Sequence, residues 1–335
     1  MSNQDVKNLL SCWVVTDGKA GMETQCLGLA EALGFHDGLN AQVKRISLGK
    51  PWRWLPPLAV VNPLSRLTAK GEFLAPPWPD ILIASGRKAV APALAVRRES
   101  AGKTFTIQIQ NPAVDPRRFD VVVAPAHDGL EGDNVLSTLG ALGRVTPERL
   151  AQEARHFAAR YSHLPHPRIA VLIGGNNRAY RLTAAAMTRF SEALAALARR
   201  DGAGLMVTPS RRTGARNEAV LRAALVKVPA EIWDGEGSNP YFGLLGLADH
   251  IVVTADSVNM ISEAASSGKP VYILALEGGS KKFTRFHQTM IERGIARPFD
   301  GKLAEWRYTP LNETARVADL IRERLAKRGF PLPSK

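Results

Sequence analysis

Short apolar runs that break at once into helix starts most restrict how this chain can fold. One run is Val14, Val15 and Thr16, followed by Asp17, Gly18, Lys19, Ala20 and Gly21 and a helical stretch from Glu23 to Leu33. Another is Ile251–Thr254, followed by Ala255, Asp256, Ser257, Val258 and Asn259 and a helix over Met260–Ser267 with Glu263 inside it. Such strand-then-helix units recur almost throughout. A strand covered by helices on both faces reads as a continuous apolar run, so the pattern predicts an α/β architecture with parallel sheets. A helix start also offers unpaired backbone N–H groups and the positive end of a dipole, which suits an anion such as a diphosphate. One such junction in each half predicts a ligand held between two α/β domains.

In the first half we expect strands at Cys12–Thr16, Val43–Leu48, Ile81–Ser85, Thr104–Ile109 and Val121–Ala124, with helices at Glu23–Leu33 and Lys88–Glu99. Thr146 and Pro147 then suit the N-cap and first turn of a long helix running to Tyr161. The proline-punctuated stretch Ser162–Pro167 reads as an interdomain linker. After it the alternation restarts at Ile169–Ile173 and continues to a last helix over Glu313–Lys327.

At 335 residues the chain has room for two domains. No run of about 18 apolar residues is present, so a membrane-spanning helix is not expected. Met1–Asn8 is polar and lacks the character of a signal peptide, so the expected location is the cytoplasm. Cys12 and Cys26 have no metal-ligand spacing and read as buried thiols. Forty-four Lys and Arg against 31 Asp and Glu give +13, which suits a phosphorylated substrate, anionic lipid headgroups or nucleic acid. The basic residues fall in short, scattered clusters without a nucleic-acid-binding module, so no nucleic-acid partner is expected. One segment, Pro51–Pro63, breaks the rhythm: it is aromatic, apolar and proline-rich, with Arg53, Arg66 and Lys70 in or beside it. It reads either as a packed loop or as a patch in which Trp52 and Trp54 meet an anionic membrane surface or a lipid-linked acceptor.

The chemistry-bearing residues fall at strand ends. Gly18 and Gly21 around Lys19 permit close backbone approach to a phosphate, and Asp17 can accept hydrogen bonds or act as a base. His127, with Asp128, follows the strand Val121–Ala124 and is a second candidate for deprotonating a hydroxyl. Gly174 and Gly175, followed by Asn176, close a strand where open α/β sheets place ligands. Ser210 and Arg211 end the next strand with groups suited to a diphosphate. Ser257 is a natural N-cap, Asn259 lies beside it, and Glu263 is placed to take both hydroxyls of a ribose.

The stretches Thr16–Gly21 with Gln25 and Gly28–Leu33, Ala84–Arg87, Gln110–Pro112, His127–Gly129, Gly174–Asn176, Ser210–Thr213, Asn239–Tyr241 and Thr254–Met260 resemble the mitochondrial fission (elongated-mitochondria) protein family over roughly residues 11 to 325. Bacterial members of that family are regarded as glycosyltransferases of the GT-B type, with two Rossmann-like domains facing a cleft. An older family label is nucleoside-diphosphate-sugar epimerase, and the plant namesake is tied to mitochondrial division. The helix from Ser257 to Glu263 is similar to the donor-site helix of GT-B enzymes such as the lipid II synthase transferase, where a carboxylate holds the donor ribose. The resemblance implies an acceptor domain over 1–162, a donor domain over 163–310, and a terminal segment, 311–335, packing back on the first domain. It implies a nucleotide-sugar donor whose diphosphate is held by Gly174, Gly175, Asn176, Ser210, Arg211, Ser257 and Asn259, with Glu263 on the ribose and Asp17 or His127 as base. No metal or cofactor is required. An epimerase on the same scaffold and a non-catalytic adaptor recruited to a membrane remain as alternatives, and the expected location extends to the inner face of a membrane.

Overall fold

A computed structural model describes residues 10–330; the polar stretch Met1–Asn8 lies outside them. The chain divides into two compact units, Met1–Arg144 with Asn312–Lys335, and Val145–Leu311. In unit 1 six strands form one parallel sheet: β1 (Cys12–Thr16), β2 (Ala41–Arg45), β3 (Ile81–Ser85), β4 (Phe105–Ile109), β5 (Val121–Pro125) and β6 (Val135–Thr138), in the order β2-β1-β3-β4-β5-β6. Successive side chains of a strand point to opposite faces, and here they feed two cores. Cys12 and Val14 pack with Leu29 and Leu33 of α1 (Ala20–Leu33), whereas Trp13 and Val15 pack with Val90 and Val96 of α2 (Arg87–Glu99). Both cysteines are buried and free, and burial pushes both thiols up.

Unit 2 opens with α3 (Pro147–Tyr161), whose Thr146 cap accepts the Arg149 N–H at 3.1 Å. Its strands are β7 (Arg168–Ile173), β8 (Tyr180–Arg181), β9 (Gly204–Pro209), β10 (Ala230–Ile232), β11 (His250–Thr254), β12 (Val271–Leu274), β13 (Glu277–Gly278) and β14 (Ala296–Pro298). Six make a second parallel sheet ordered β10-β9-β7-β11-β12-β14, and β8 and β13 form a short antiparallel pair. The connecting helices are α4 (Ala184–Asp201), α5 (Ala215–Leu225), α6 (Tyr241–Leu247), α7 (Val258–Ser266) and α8 (Lys281–Glu292). Helix α9 (Glu313–Lys327) returns to unit 1, where the Gly143 N–H donates to Thr314 Oγ1 at 3.0 Å and Val317 and Ile321 join the core beneath α1. Among the described residues no helix is long and apolar enough to cross a membrane.

The unit boundary falls before α3 and not at the prolines of 162–167, a correction with a physical cause. Helix α3 lies against α6, where Gly243 and Gly246 carry no side chain to keep it away; a Cβ on Gly243 would sit 2.6 Å from the Phe157 ring. Arg160 of α3 pairs with Glu231 of β10. The prolines only turn the chain between α3 and β7, and the Gly204 N–H is bonded to the Pro165 and Pro167 carbonyls. Other differences are local. The second strand ends at Arg45 and not Leu48, and β6, β8, β13 and β14 were not expected from the sequence. The aromatic segment winds through three 3₁₀ turns, Trp52–Trp54, Pro57–Ala59 and Pro63–Arg66.

Candidate functional site

Setting aside the short β8–β13 pair, the sheet of unit 2 runs in the sequence order 3-2-1-4-5-6, with its reversal between β7 and β11. Loops at the carboxyl ends of strands diverge at such a reversal and leave a crevice in which ligands bind. Gly174 and Gly175 follow β7, the Ser210–Thr213 turn follows β9, and Asp256 and Ser257 follow β11, so the predicted donor groups come after three neighbouring strands.

Asp256 organises them. Its carboxyl is fully enclosed, accepts the Thr254 hydroxyl at 2.6 Å and the Gly175 N–H at 3.1 Å, and pairs with Arg212 at 2.7 Å. The Arg212 side chain is itself 39% exposed, so part of it stays accessible to solvent. Thr254 Oγ1 accepts the Gly174 N–H at 2.8 Å, while Ser210 Oγ and Thr213 Oγ1 both donate to the Gly174 carbonyl at 2.7 Å. A Cβ on Gly174 would lie 2.2 Å from an Asp256 oxygen, and one on Gly175 would lie 2.1 Å from the Arg212 carbonyl oxygen, so neither position admits a side chain. These contacts change how the glycines serve. Their N–H groups are already donated within the protein, and what they supply is close approach.

The other predicted donor residues occupy distinct places. Asn176 Oδ1 accepts the Leu182 N–H at 2.8 Å and so braces its own loop. Ser257 caps α7 by accepting the Met260 N–H at 3.3 Å. Asn259 lies in the first turn of α7. Arg211 is exposed and makes no ion pair among the described residues, whereas its neighbour Arg212 is anchored. Glu263 is buried in α7 and accepts the Tyr241 hydroxyl at 2.7 Å; burial first, and the Glu263 charge second, push the Tyr241 phenol well above its usual range. Sequence reasoning assigned neither Asp256 nor Tyr241 to the site, and of the two guanidinium groups in the Ser210–Thr213 turn it gave the diphosphate to Arg211 alone, not Arg212. All three lie in stretches it quoted, and the missing information was which side chains turn inward.

Unit 1 repeats the device. Its strand order reverses between β1 and β3, and Asp17 ends β1 while Gly86, Arg87 and Lys88 follow β3. The Asp17 side chain is 7% exposed, and one carboxylate oxygen lies 3.1 Å from Lys19 Nζ and 3.2 Å from Lys88 Nζ. Its other oxygen is buried and makes no hydrogen bond among the described residues. Burial favours the neutral acid, but bonding to Lys19 and Lys88 outweighs it and holds the carboxyl below its usual value. That lowers the basicity of Asp17. Gly18 takes a left-handed φ of 76°, and Gly21 lies in the first turn of α1. His127 follows β5 in a 3₁₀ turn; it is buried, with Nε2 3.8 Å from Asp128 Oδ1. Among the described residues no group of three or more His, Cys, Asp or Glu side chains is placed to hold a metal.

The profile of the family described as Mitochondrial fission ELM1 matches residues 20–325. A protein of Arabidopsis thaliana named mitochondrial fission protein ELM1 is 31% identical over 96% of this chain and 92% of its own length. A Rickettsia prowazekii protein, RP120, is 26% identical over 93% of this chain and 98% of its own. Among solved structures, UDP-GlcNAc 2-epimerase from Methanocaldococcus jannaschii superposes with a TM-score of 0.56 at 11% identity, covering 94% of this chain and all of that one. Os79 from O. sativa in complex with UDP superposes with a TM-score of 0.52 at 11% identity, covering 95% of this chain and 92% of that one. The fold is that of GT-B glycosyltransferases and epimerases.

Proposed function

This chain belongs to the mitochondrial fission ELM1 family, and we propose that it is a metal-independent glycosyltransferase that moves a sugar from a nucleotide-sugar donor to an acceptor hydroxyl. The observation that carries this reading is the Asp256–Arg212 pair set around Gly174 and Gly175 where the strand order of unit 2 reverses. It fixes a held cation at the place where α/β sheets bind nucleotides. Arg212, with Arg211 and the start of α7 at Ser257 and Asn259, offsets the diphosphate charge, and Glu263, oriented by Tyr241, takes the ribose. The acceptor oxygen attacks the anomeric carbon as the bond to the diphosphate breaks. The electron pair leaves with the nucleoside diphosphate and the hydroxyl proton passes to a base. We assign that base to His127, because the two lysines around Asp17 lower its basicity.

A thermal-shift titration with UDP, UDP-GlcNAc and inorganic phosphate, with and without a chelator, tests this reading. A site filled to about 100 times its dissociation constant adds about 2.7 kcal/mol of stability. Stabilisation by the nucleotides, unchanged by chelator, is expected; no shift with any nucleotide or nucleotide sugar would sink the proposal. Fold likeness to a UDP-GlcNAc 2-epimerase supports the alternative of an epimerase, which would interconvert the donor with no acceptor present. The name of the Arabidopsis relative supports a non-catalytic recruiter in organelle or cell division, which need bind no nucleotide.

A further inference from the structure

Seven large hydrophobic side chains are exposed among the described residues, and three of them, Trp54 (59%), Leu58 (56%) and Val61 (60%), fall within eight positions of one another. They stand on the first two 3₁₀ turns of the aromatic segment and the loop that follows. The segment is held firmly from below. The Arg87 guanidinium at the start of α2 donates to the Trp54 and Leu55 carbonyls at 3.1 and 3.0 Å, and Val60 and Leu67 are buried in the core that also takes Trp13 and Val15. Trp52 packs against that core beneath the Arg66 guanidinium, which lies 4.5 Å from its ring. The two tryptophans expected to act together are therefore divided: Trp52 belongs to the packing and Trp54 to the surface.

Along the segment that carries the exposed ring the charge has one sign. Arg53 lies 4.6 Å and Lys50 5.8 Å from the Trp54 ring centroid. Between Gly49 and Gly71 stand Lys50, Arg53, Arg66 and Lys70, with no Asp or Glu. Behind the turns, against α2, is a cavity of about 700 Å³ whose lining includes Leu58, Val60, Leu94 and Arg118. Apolar walls with a cation among them match the two parts of a phospholipid, its chain and its phosphate.

We propose that Trp54, Leu58 and Val61, with Lys50 and Arg53 beside them, dock unit 1 onto an anionic phospholipid bilayer. A rigid turn carrying an indole and two aliphatic side chains inserts at headgroup depth, where an amphipathic ring is most stable. The surrounding cations meet lipid phosphates. Exposed apolar groups clustered in this way mark interaction surfaces, and the one-sided charge selects an anionic membrane. This inference stands on the surface alone and not on the glycosyltransferase reading.

The test is co-sedimentation of the full chain with vesicles of phosphatidylcholine alone and of phosphatidylcholine mixed with phosphatidylglycerol. Binding to the mixed vesicles at low salt, lost at high salt and absent with the neutral ones, is expected. The triple change Trp54→Ser, Leu58→Ser, Val61→Ser should abolish it while melting temperature and nucleotide-induced stabilisation stay as in the wild type. As a second variant that leaves the apolar groups in place, Arg53→Ala should lower the partition coefficient roughly fivefold, the equivalent of about 1 kcal/mol. Wild-type protein that ignores the mixed vesicles at low salt overturns the proposal. So does an Arg53→Ala chain, or a folded triple variant, that binds as well as wild type.

Discussion

The ion pair between Arg212 and Asp256 spans a strand. Arg212 lies in the turn after β9 and Asp256 in the loop after β11, and β7 runs between them and ends at Gly174 and Gly175. The pair thus closes over the backbone of a third strand, which ties the shape of the crevice to one charge interaction.

Removing the cation should therefore be felt in the fold. Arg212→Ala leaves the enclosed Asp256 carboxylate without its counter-charge and should cost about 1–3 kcal/mol, the half-exposed guanidinium being screened by water. Arg211 is exposed and in no ion pair among the described residues, so Arg211→Ala should stay within about 0.5 kcal/mol of wild type. Urea unfolding of the two variants checks this; equal losses would show that the pair does not matter.

Gly174→Ala should destabilise unit 2 by about 1–3 kcal/mol through overpacking against the Asp256 carboxyl. Gly202→Ala, at a left-handed helix end with open space around it, should lose stability through backbone strain alone and leave nucleotide affinity untouched. A nucleotide titration separates the two variants. Undiminished affinity in Gly174→Ala would remove the glycine from the site.

Asp17 gives a pH prediction. Its folded value lies below the ordinary 3.8 because Lys19 and Lys88 favour the carboxylate. A depressed folded value contributes stability that is present above the unfolded value and lost as the pH falls through the folded one. The stability difference between wild type and Asp17→Asn should accordingly shrink as the pH falls through the ordinary carboxylate value of 3.8 and below it. A difference that stays constant across that range would contradict the pairing.

Glu263→Ala should weaken UDP binding by about 1.5–3 kcal/mol while leaving inorganic phosphate unaffected, since the carboxylate is assigned to the ribose. Tyr241→Phe, which removes only the orienting hydroxyl, should lose about 0.5–1.5 kcal/mol. Isothermal titration with both ligands distinguishes this from a general collapse of the site, which would weaken phosphate equally.

The alternation of elements was legible because buried parallel strands such as Ile81–Ser85 and Val271–Leu274 are unbroken apolar runs, and helices such as Tyr241–Leu247 are bounded by turn residues. Strand β6, Val-Leu-Ser-Thr, is short and partly exposed, so its composition does not separate it from a loop. The prolines at 162–167 announce a turn, and a turn inside a domain looks in sequence like a turn between domains; only the packing of α3 on α6 decides. Within the site, Arg211 and Arg212 are chemically identical neighbours. The burial of Asp256, which selects one of them, depends on β7, β9 and β11 lying side by side, and no local spacing encodes that.

The return of α9 to unit 1 has a mechanical consequence. Unit 2 is an uninterrupted stretch, Val145–Leu311, set into a chain whose β1 and α9 share one core. Tension applied between Cys12 and Lys327 is carried by the core that β1, α1 and α9 share, with α9 packed on α1, and it reaches unit 2 only after that core has torn. The second sheet is shielded from any pull on the first strand and the last helix, and unit 1 acts as the mechanical fuse.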